Sequence, residues 1–407
     1  MPIAKRRLLD QVDLSDHEKK NLQILDTIRK KGPIARAEIS RLIGLNIVTV
    51  TSYVDQYIKK NVIKEVGIDV STGGRKPTLV DLNPQATYVV GVGLNAVEMI
   101  AVLCDLKGEV IDTFKKERLL HGGEALVKSM VELVEKLVEK SRVDMARVHG
   151  IGIGIPGIFN RDTNTVRWPV GLLEGDLSIA VSIHRIFEDR FGVPTIVDND
   201  ANTAVFGEEW HGKGLGVQHA IYLYSGNGCG FMINGQIYRG ANGCAGEWMF
   251  DEREENALAA LVESYKSGTW NVDMGISLKA KALYDKNMKS KIYELVKGDL
   301  ERITIMVVAK AAEMHDEFAI SLLREAGKRL GRKTAILVNL FNPEIIMVGG
   351  GIEIGGTVFM DALRETVKQA AVPEATDKLR ILPSVLGENG VALGAAALVA
   401  QNYFVSV

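Results

Sequence analysis

One figure is written twice in this chain, and it limits the folds open to it more than any other feature. Tyr88 to Asn95 reads as a strand and a glycine turn. A second strand follows at Met99–Asp105, then a tight turn through Lys107-Gly108 and a third strand, Glu109–Phe114. From Ala220 the order returns: a strand and glycine turn through Gly226, Gly228 and Gly230, then Phe231-Met232-Ile233, an Asn234-Gly235 turn, and Gln236–Tyr238. Asn-Gly is the strongest short-range hairpin signal. Two widely separated copies of one hairpin predict two related lobes. Glycine turns of this kind offer backbone N–H groups to a phosphate, but they more often serve geometry, and taken alone they do not predict a nucleotide.

Between the copies the pattern predicts a helix over about Glu124–Ser141, a glycine-rich buried strand from His149 to Ile155 turning at Pro156-Gly157, and a helix from Ile179 to Phe191. A mostly apolar run, Val193 to Val197, then delivers Asn199 and Asp200 to a strand end, with a helix opening over Ala201–Phe206. Ligands of open α/β sheets gather at such strand ends. An amide and a carboxylate there can bind hydroxyls, or the carboxylate can take a proton from one; as a bare alternative, Asp200 would only cap the helix that follows. Past the second hairpin, Arg239 to Glu247 is a glycine-rich loop ending in a carboxylate. Helical segments are predicted over about 255–286, with breaks, and 317–340. A strand, Ile345–Val348, runs into Gly349-Gly350-Gly351, and a small-residue helix at about Gly390–Gln401 should pack tightly on the sheet.

The first 80 residues differ in kind. They carry 15 Lys/Arg against 9 Asp/Glu, net +6, whereas residues 81–407 carry 34 against 42, net −8. A basic end on an acidic body points to a polyanionic partner. Helical periodicity from Glu18 to Lys31 stops at Gly32-Pro33. A short helix follows at Ala37–Ile43, then Gly44-Leu45-Asn46, with Asn46 as the cap of a third helix running to about Lys60. This is the helix-turn-helix spacing. Ile47, Val50, Val54, Tyr57 and Ile58 form the expected buried stripe. Thr49, Thr51, Ser52, Asp55 and Gln56 are left outward, small polar groups suited to base edges and phosphates. Strands at Val62–Ile68 and Thr78–Leu82 flank Gly73-Gly74-Arg75-Lys76, a wing whose Arg75 and Lys76 can reach a phosphate or a minor groove. Cys104, Cys229 and Cys244 are too scattered for a disulfide framework or a CxxC metal site. With no apolar leader segment and no run of membrane-span length, the expected location is the cytoplasm, with no membrane partner.

Taken together these stretches resemble the ROK family (repressors, open reading frames, kinases), and within it the regulators of the xylose-repressor and Mlc type. The resemblance spans nearly the whole chain. It is carried by the wing Gly73–Pro77, by Gly152-Ile153-Gly154-Ile155-Pro156-Gly157, and by Asn199-Asp200-Ala201-Asn202 with Gly207-Glu208. Gly243 to Glu247, Asn342-Pro343 with Gly349-Gly350-Gly351, and Leu386-Gly387-Glu388 with Gly394-Ala395-Ala396 complete it. It implies an α/β, two-lobed actin-like or hexokinase-like ROK domain behind an N-terminal winged helix-turn-helix. The boundaries expected are 1–82 for the DNA-binding domain, 83–200 plus 388–407 for the first lobe and 201–387 for the second. It also implies a ligand site of Asn199, Asp200, Glu247 and Gly157 that holds a small carbohydrate, a DNA operator read by Asn46, Thr49, Thr51, Ser52, Gln56, Arg75 and Lys76, and a homodimer or homotetramer.

The departures from the family pattern are specific. Its kinases carry Asp-x-Gly-Gly-Thr where this chain has Gly93-Leu94-Asn95-Ala96-Val97, so no ATP cofactor is expected. Phe250 stands where relatives have a histidine, and a cysteine-rich loop is missing after it, so no zinc is expected. Trp168-Pro169-Val170-Gly171 replaces a segment that supplies an asparagine, leaving Trp168 to stack on a sugar face or simply to pack. A regulator that senses a carbohydrate is the expected function. The alternative is a sugar kinase with Asp200 as general base.

Overall fold

The computed structural model describes residues 14–68, 77–95, 97–118, 124–160, 163, 165–167, 178–179, 182–214, 216–225, 228–247, 274–285 and 288–407. The N-terminal module comprises α1 (Asp16–Lys31), β1 (Ile34–Ala35), α2 (Arg36–Ile43), α3 (Ile47–Lys59), β2 (Ile63–Ile68) and β3 (Thr78–Leu82), with its three strands in the order β1-β3-β2. Ser15 opens α1 with a reciprocal capping box: its hydroxyl accepts from Glu18 N–H, and its own N–H donates to the Glu18 carboxylate at 2.8 Å. Gly44, at φ +69°, closes α2 in the left-handed conformation, and Asn46 caps α3 by accepting from Val48 N–H at 2.8 Å. Ile24, Leu25, Ile28, Ile39, Val50, Val54 and Tyr57 form the buried centre. Ile47 is not part of it. It is 43% exposed and Val48 73% exposed, because the first turn of α3 has nothing to bury against.

The body is built on two five-stranded sheets. The first uses β4 (Tyr88–Leu94), β5 (Glu98–Asp105), β6 (Val110–Glu117), β7 (Val148–Ile155) and, after a small sheet of β8 (Ile158–Asn160), β9 (Thr165–Arg167) and β10 (Ser178–Ile179), β11 (Thr195–Asn199). α4 (Glu124–Ser141) and α5 (Ile183–Phe191) pack on it, and α6 (Asp200–His211) continues directly from β11. The second uses β12 (Ala220–Tyr224), β13 (Gly228–Ile233), β14 (Gln236–Tyr238), β15 (Ile345–Gly349) and β16 (Arg380–Pro383). Their orders match: β6-β5-β4-β7-β11 and β14-β13-β12-β15-β16, each a three-stranded meander extended by two parallel strands. The repeat legible in the sequence is therefore a repeat of whole sheets.

The remaining helices are α7 (Ile276–Ala282), α8 (Lys291–Leu295), α9 (Ile305–Glu313), α10 (Glu317–Phe341), α11 (Gly356–Ala370), α12 (Pro373–Thr376) and α13 (Gly390–Ser406). The predicted helical run over 255–286 is described only from residue 274, where α7 falls; α9 and α11 were not anticipated. α13 lies against the first sheet at backbone contact. A Cβ on Gly91 would come within 1.9 Å of Ala392 O, and one on Gly152 within 2.0 Å of Ala395 O. Glycine alternation on the strands and alanine on the helix are two halves of one packing solution. α6 is gripped in the same way, with Gly394 against Thr203 O on one side and Gly230 of the second sheet against Ala201 O on the other. Residues Ala201 to Trp210 are all buried. Among the described residues no helix is long and apolar enough to cross a membrane.

Candidate ligand cleft and DNA-reading head

Register places the carboxyl ends of the parallel strands on one rim: Gly93 lies opposite Gly154, and Ile155 opposite Asn199. The second sheet presents Tyr224 opposite Gly349 at the corresponding end. α6 begins at this rim. Asn199 is its N-cap, accepting from Ala201 N–H at 2.9 Å and Asn202 N–H at 3.2 Å, while its Nδ2 donates to Gly157 O at 3.1 Å. Capping therefore falls to Asn199 rather than Asp200. Asp200 is the first helical residue, and its Oδ1 accepts from Ala201 N–H at 2.8 Å.

Burial pushes the Asp200 carboxyl up to about 6; the Glu247 charge adds to the rise, while the Ala201 N–H and the Arg118 guanidinium oppose it. Glu247 reaches this neighbourhood because Gly246, at φ +100°, folds the Arg239–Glu247 loop onto β13, where its carbonyl accepts from Cys229 N–H at 3.0 Å. Beneath, Asp198 receives Arg239 Nε at 2.8 Å and Asn202 Nδ2 at 3.1 Å, a buried ion pair tying β11 to the end of β14. Asn199, Asp200, Gly157 and Glu247 thus come together. Trp168 lies outside the described residues. Arg118, Tyr224 and Asp198 belong to the same neighbourhood and were not singled out from the sequence.

The first hairpin turn, where a phosphate would be cradled, is closed by its own side chain. Asn95 Oδ1 accepts from Val97 N–H at 3.0 Å and Glu98 N–H at 2.8 Å, and Arg118 seals the outside by donating to Asn95 O at 2.8 Å and Val97 O at 2.7 Å. Two N–H groups that a phosphate would need are already used. At the second turn Ser225 Oγ donates to Gly350 O, and the Gly351 N–H donates to Glu353 at 2.7 Å. Burial raises the Glu353 carboxyl to about 7. Gly226 lies outside the described residues. Glu208, from the Gly207-Glu208 pair, is fully buried and structural, receiving Ser384 Oγ at 2.6 Å, Val385 N–H at 3.0 Å and Lys213 N–H at 2.8 Å. Among the described residues no group of three or more His, Cys, Asp or Glu is placed to hold a metal ion. Phe250 and the segment bearing on zinc, with the helix expected over 251–266, lie outside them.

On the reading head Ser52 and Gln56 are exposed and Thr49 and Thr51 half-buried, so α3 presents the polar face expected of it. Asn46 is exposed, but its oxygen is committed to the cap. Asp55, an awkward charge beside DNA, is paired with Arg36 at 2.9 Å. Val48 and Ile47 expose apolar surface at the tip; of the two, only Ile47 was expected in the buried stripe. Arg75 and Lys76 lie outside the described residues.

The sequence matches the ROK family over residues 89–257 and 273–402, and a winged helix-turn-helix DNA-binding segment over residues 18–64. It is similar to the xylose repressor of Caldicellulosiruptor bescii, 29% identical over 391 residues that cover 94% of this chain and 95% of that protein. Among solved structures it is similar to a ROK family transcriptional regulator, a homologue of the E. coli MLC protein. The TM-score is 0.73 at 20% identity, covering 96% of this chain and 97% of that one. A ROK family glucokinase from Streptomyces griseus, solved with glucose and AMPPNP, gives a TM-score of 0.62 at 24% identity, covering 76% and 98%. These two likenesses establish the two-lobed α/β fold of the body. The chain belongs to the ROK family, in its transcriptional-regulator form with an N-terminal winged helix-turn-helix.

Proposed function

We propose that this protein is a cytoplasmic repressor of sugar-utilisation genes whose kinase-like body senses a small carbohydrate and does not phosphorylate it. The observation that carries this reading is the turn at Asn95, whose phosphate-binding donors are spent on its own carboxamide. Asp200 then binds ligand hydroxyls, with Glu247, Gly157 and the free side of Asn199 around it and Trp168 as a stacking surface. The similarity to a xylose repressor makes pentoses the first effectors to try. DNA is read by Thr49, Thr51, Ser52 and Gln56, with Asn46 at the helix start, Val48 against a thymine methyl, and Arg75 and Lys76 on phosphates. A two-fold dimer would read a palindrome, and lobe closure on the ligand would change the spacing of its two heads.

The test is a gel shift on DNA upstream of the coding sequence. Retention should be sequence-specific, should weaken about 10-fold or more with Arg75→Ala/Lys76→Ala at physiological salt, and should respond to one sugar of a panel led by D-xylose. Retention indifferent to sequence would end the regulator reading. One observation favours a kinase instead: a carboxyl near 6 is suited to a general base. An ADP-release assay across the same panel decides it, because turnover that vanishes in Asp200→Asn would install Asp200 as that base.

A further inference from the structure

Among the described residues, α6 touches the cleft, both sheets and the reading head. At 1.5 Å per residue it is about 18 Å long. Its first turn starts at Asp200, capped by Asn199, and sits against Gly230 of the second sheet, so a change in the angle between the sheets bears on it directly. Its last turn is clamped by α1. Arg29 Nη1 donates to Trp210 O at 2.9 Å, its guanidinium carbon stands 3.9 Å over the Trp210 ring, and Nη2 lies 3.4 Å from both Glu209 carboxylate oxygens. Lys30 Nζ joins Glu209 at 2.7 Å, and Asp26 bridges both cations on the α1 side. The Arg29 and Glu209 side chains are 5% and 8% exposed.

The clamp has a parallel support. α13 also starts at the cleft rim, beside Glu388, which receives Lys115 of β6. It ends at the head, where Val405 O accepts from Asn21 Nδ2 at 3.4 Å and Asn21 Oδ1 accepts from Tyr57 OH at 2.7 Å. Tyr57 lies on α3, the reading helix. α6 and α13 cannot slide past one another, since a Cβ on Gly394 would sit 1.7 Å from Thr203 O. A buried indole N–H on Trp210 finds no acceptor in this arrangement. Buried donors are rarely left so.

We propose that α6, braced by α13, is the lever linking cleft occupancy to the placement of α3, and that Arg29, Glu209 and Trp210 are its coupling contact. The proposal rests on the sensing reading above. Because coupling between two sites is reciprocal, it can be tested from the DNA side, with no effector in hand. The probe is a duplex selected by the full-length protein from a random-sequence library, and the readout is amide hydrogen exchange over residues 199–204. In the wild type, duplex binding should change exchange there about 5-fold or more. In Arg29→Met, which keeps the side-chain stem but loses the charge and the hydrogen bonds, the duplex should still bind while the change at 199–204 disappears. Trp210→Phe provides a second severing variant should Arg29→Met fail to fold.

Two outcomes overturn the lever: no change at 199–204 in the wild type on duplex binding, or a change that survives in the clamp variants. If no duplex is selected at all, the regulator reading itself fails, and the lever fails with it.

Discussion

The two ends of α6 face opposite demands. At the cleft end a carboxylate is held half-buried, and its acidity is weakened by that environment. At the head end every charge is matched: Glu209 with Arg29 and Lys30, and those with Asp26. The cleft end weakens an acid by burying it, whereas the head end pairs its charges while the buried Trp210 N–H stays without an acceptor. Binding sites tolerate the first condition because a ligand completes them, whereas joints between modules require paired charges.

The largest expected effect tests whether α6 is one body with α13. Gly394→Val drives side-chain atoms into Thr203 O and should cost more than about 4 kcal/mol, seen as loss of the cooperative urea transition or of soluble protein. Next comes the head end. Glu209→Gln leaves Arg29 and Lys30 short of a counter-charge, and breaking such a pair should cost about 2–3 kcal/mol, the lower side because Lys30 is partly exposed. Hydrogen exchange should place the loss in α1.

The cleft end should respond with the opposite sign. The raised Asp200 pKa means its contribution to stability is fully present below about pH 3.8 and is lost as pH rises through 6. Asp200→Asn should therefore leave stability unchanged near pH 3.8 and raise it by about 1–3 kcal/mol at pH 8, while removing any response to the effector. His211 at the head end runs the other way. Burial, then Arg29, push its imidazole down to about 4, so its contribution is present above pH 6.5 and lost as pH falls through 4. Thermal melts across pH 4–8 of the wild type and Asp200→Asn separate the two. A gain at pH 8 no larger than at pH 4 would contradict the assignment. Smallest is the cap: Asn199→Ala should cost about 1 kcal/mol by denaturant unfolding, and a change much above that would mean the Gly157 contact matters more than the helix start.

Local signals carried much of this structure into the sequence. The doubled hairpin, the Asn46 cap and the strand ending at Asn199 are properties of neighbours in the chain, and the run of small residues in α13 marks a helix that packs closely. What escaped was of two kinds. α11 begins at Gly355-Gly356 without a side-chain cap, and α9 opens on Ile305-Met306-Val307-Val308, which reads as strand as easily as helix. The other kind is pairing at long range. Nothing near Glu209 names Arg29 as its partner, and nothing near Asp198 names Arg239. Asn95 could have been found. An Asn at a phosphate turn can satisfy the turn's own donors, a signal that the stretch Gly93–Val97 carries. The exposure of Ile47 shows the limit of periodicity, which identifies a helical face but not whether a neighbour reaches its first turn.

α6 carries ten consecutive buried residues, Ala201 to Trp210, and so has no water-facing side over that span. Such a helix gains little by forming before its surroundings exist. Its stability comes from the first sheet, the second sheet, α13 and α1 together. The two halves of the body and the module on its end should accordingly assemble as a single cooperative unit, with calorimetric and van't Hoff enthalpies agreeing. A truncation removing the last turns of α13 would then undo the binding body and the reading head in the same step.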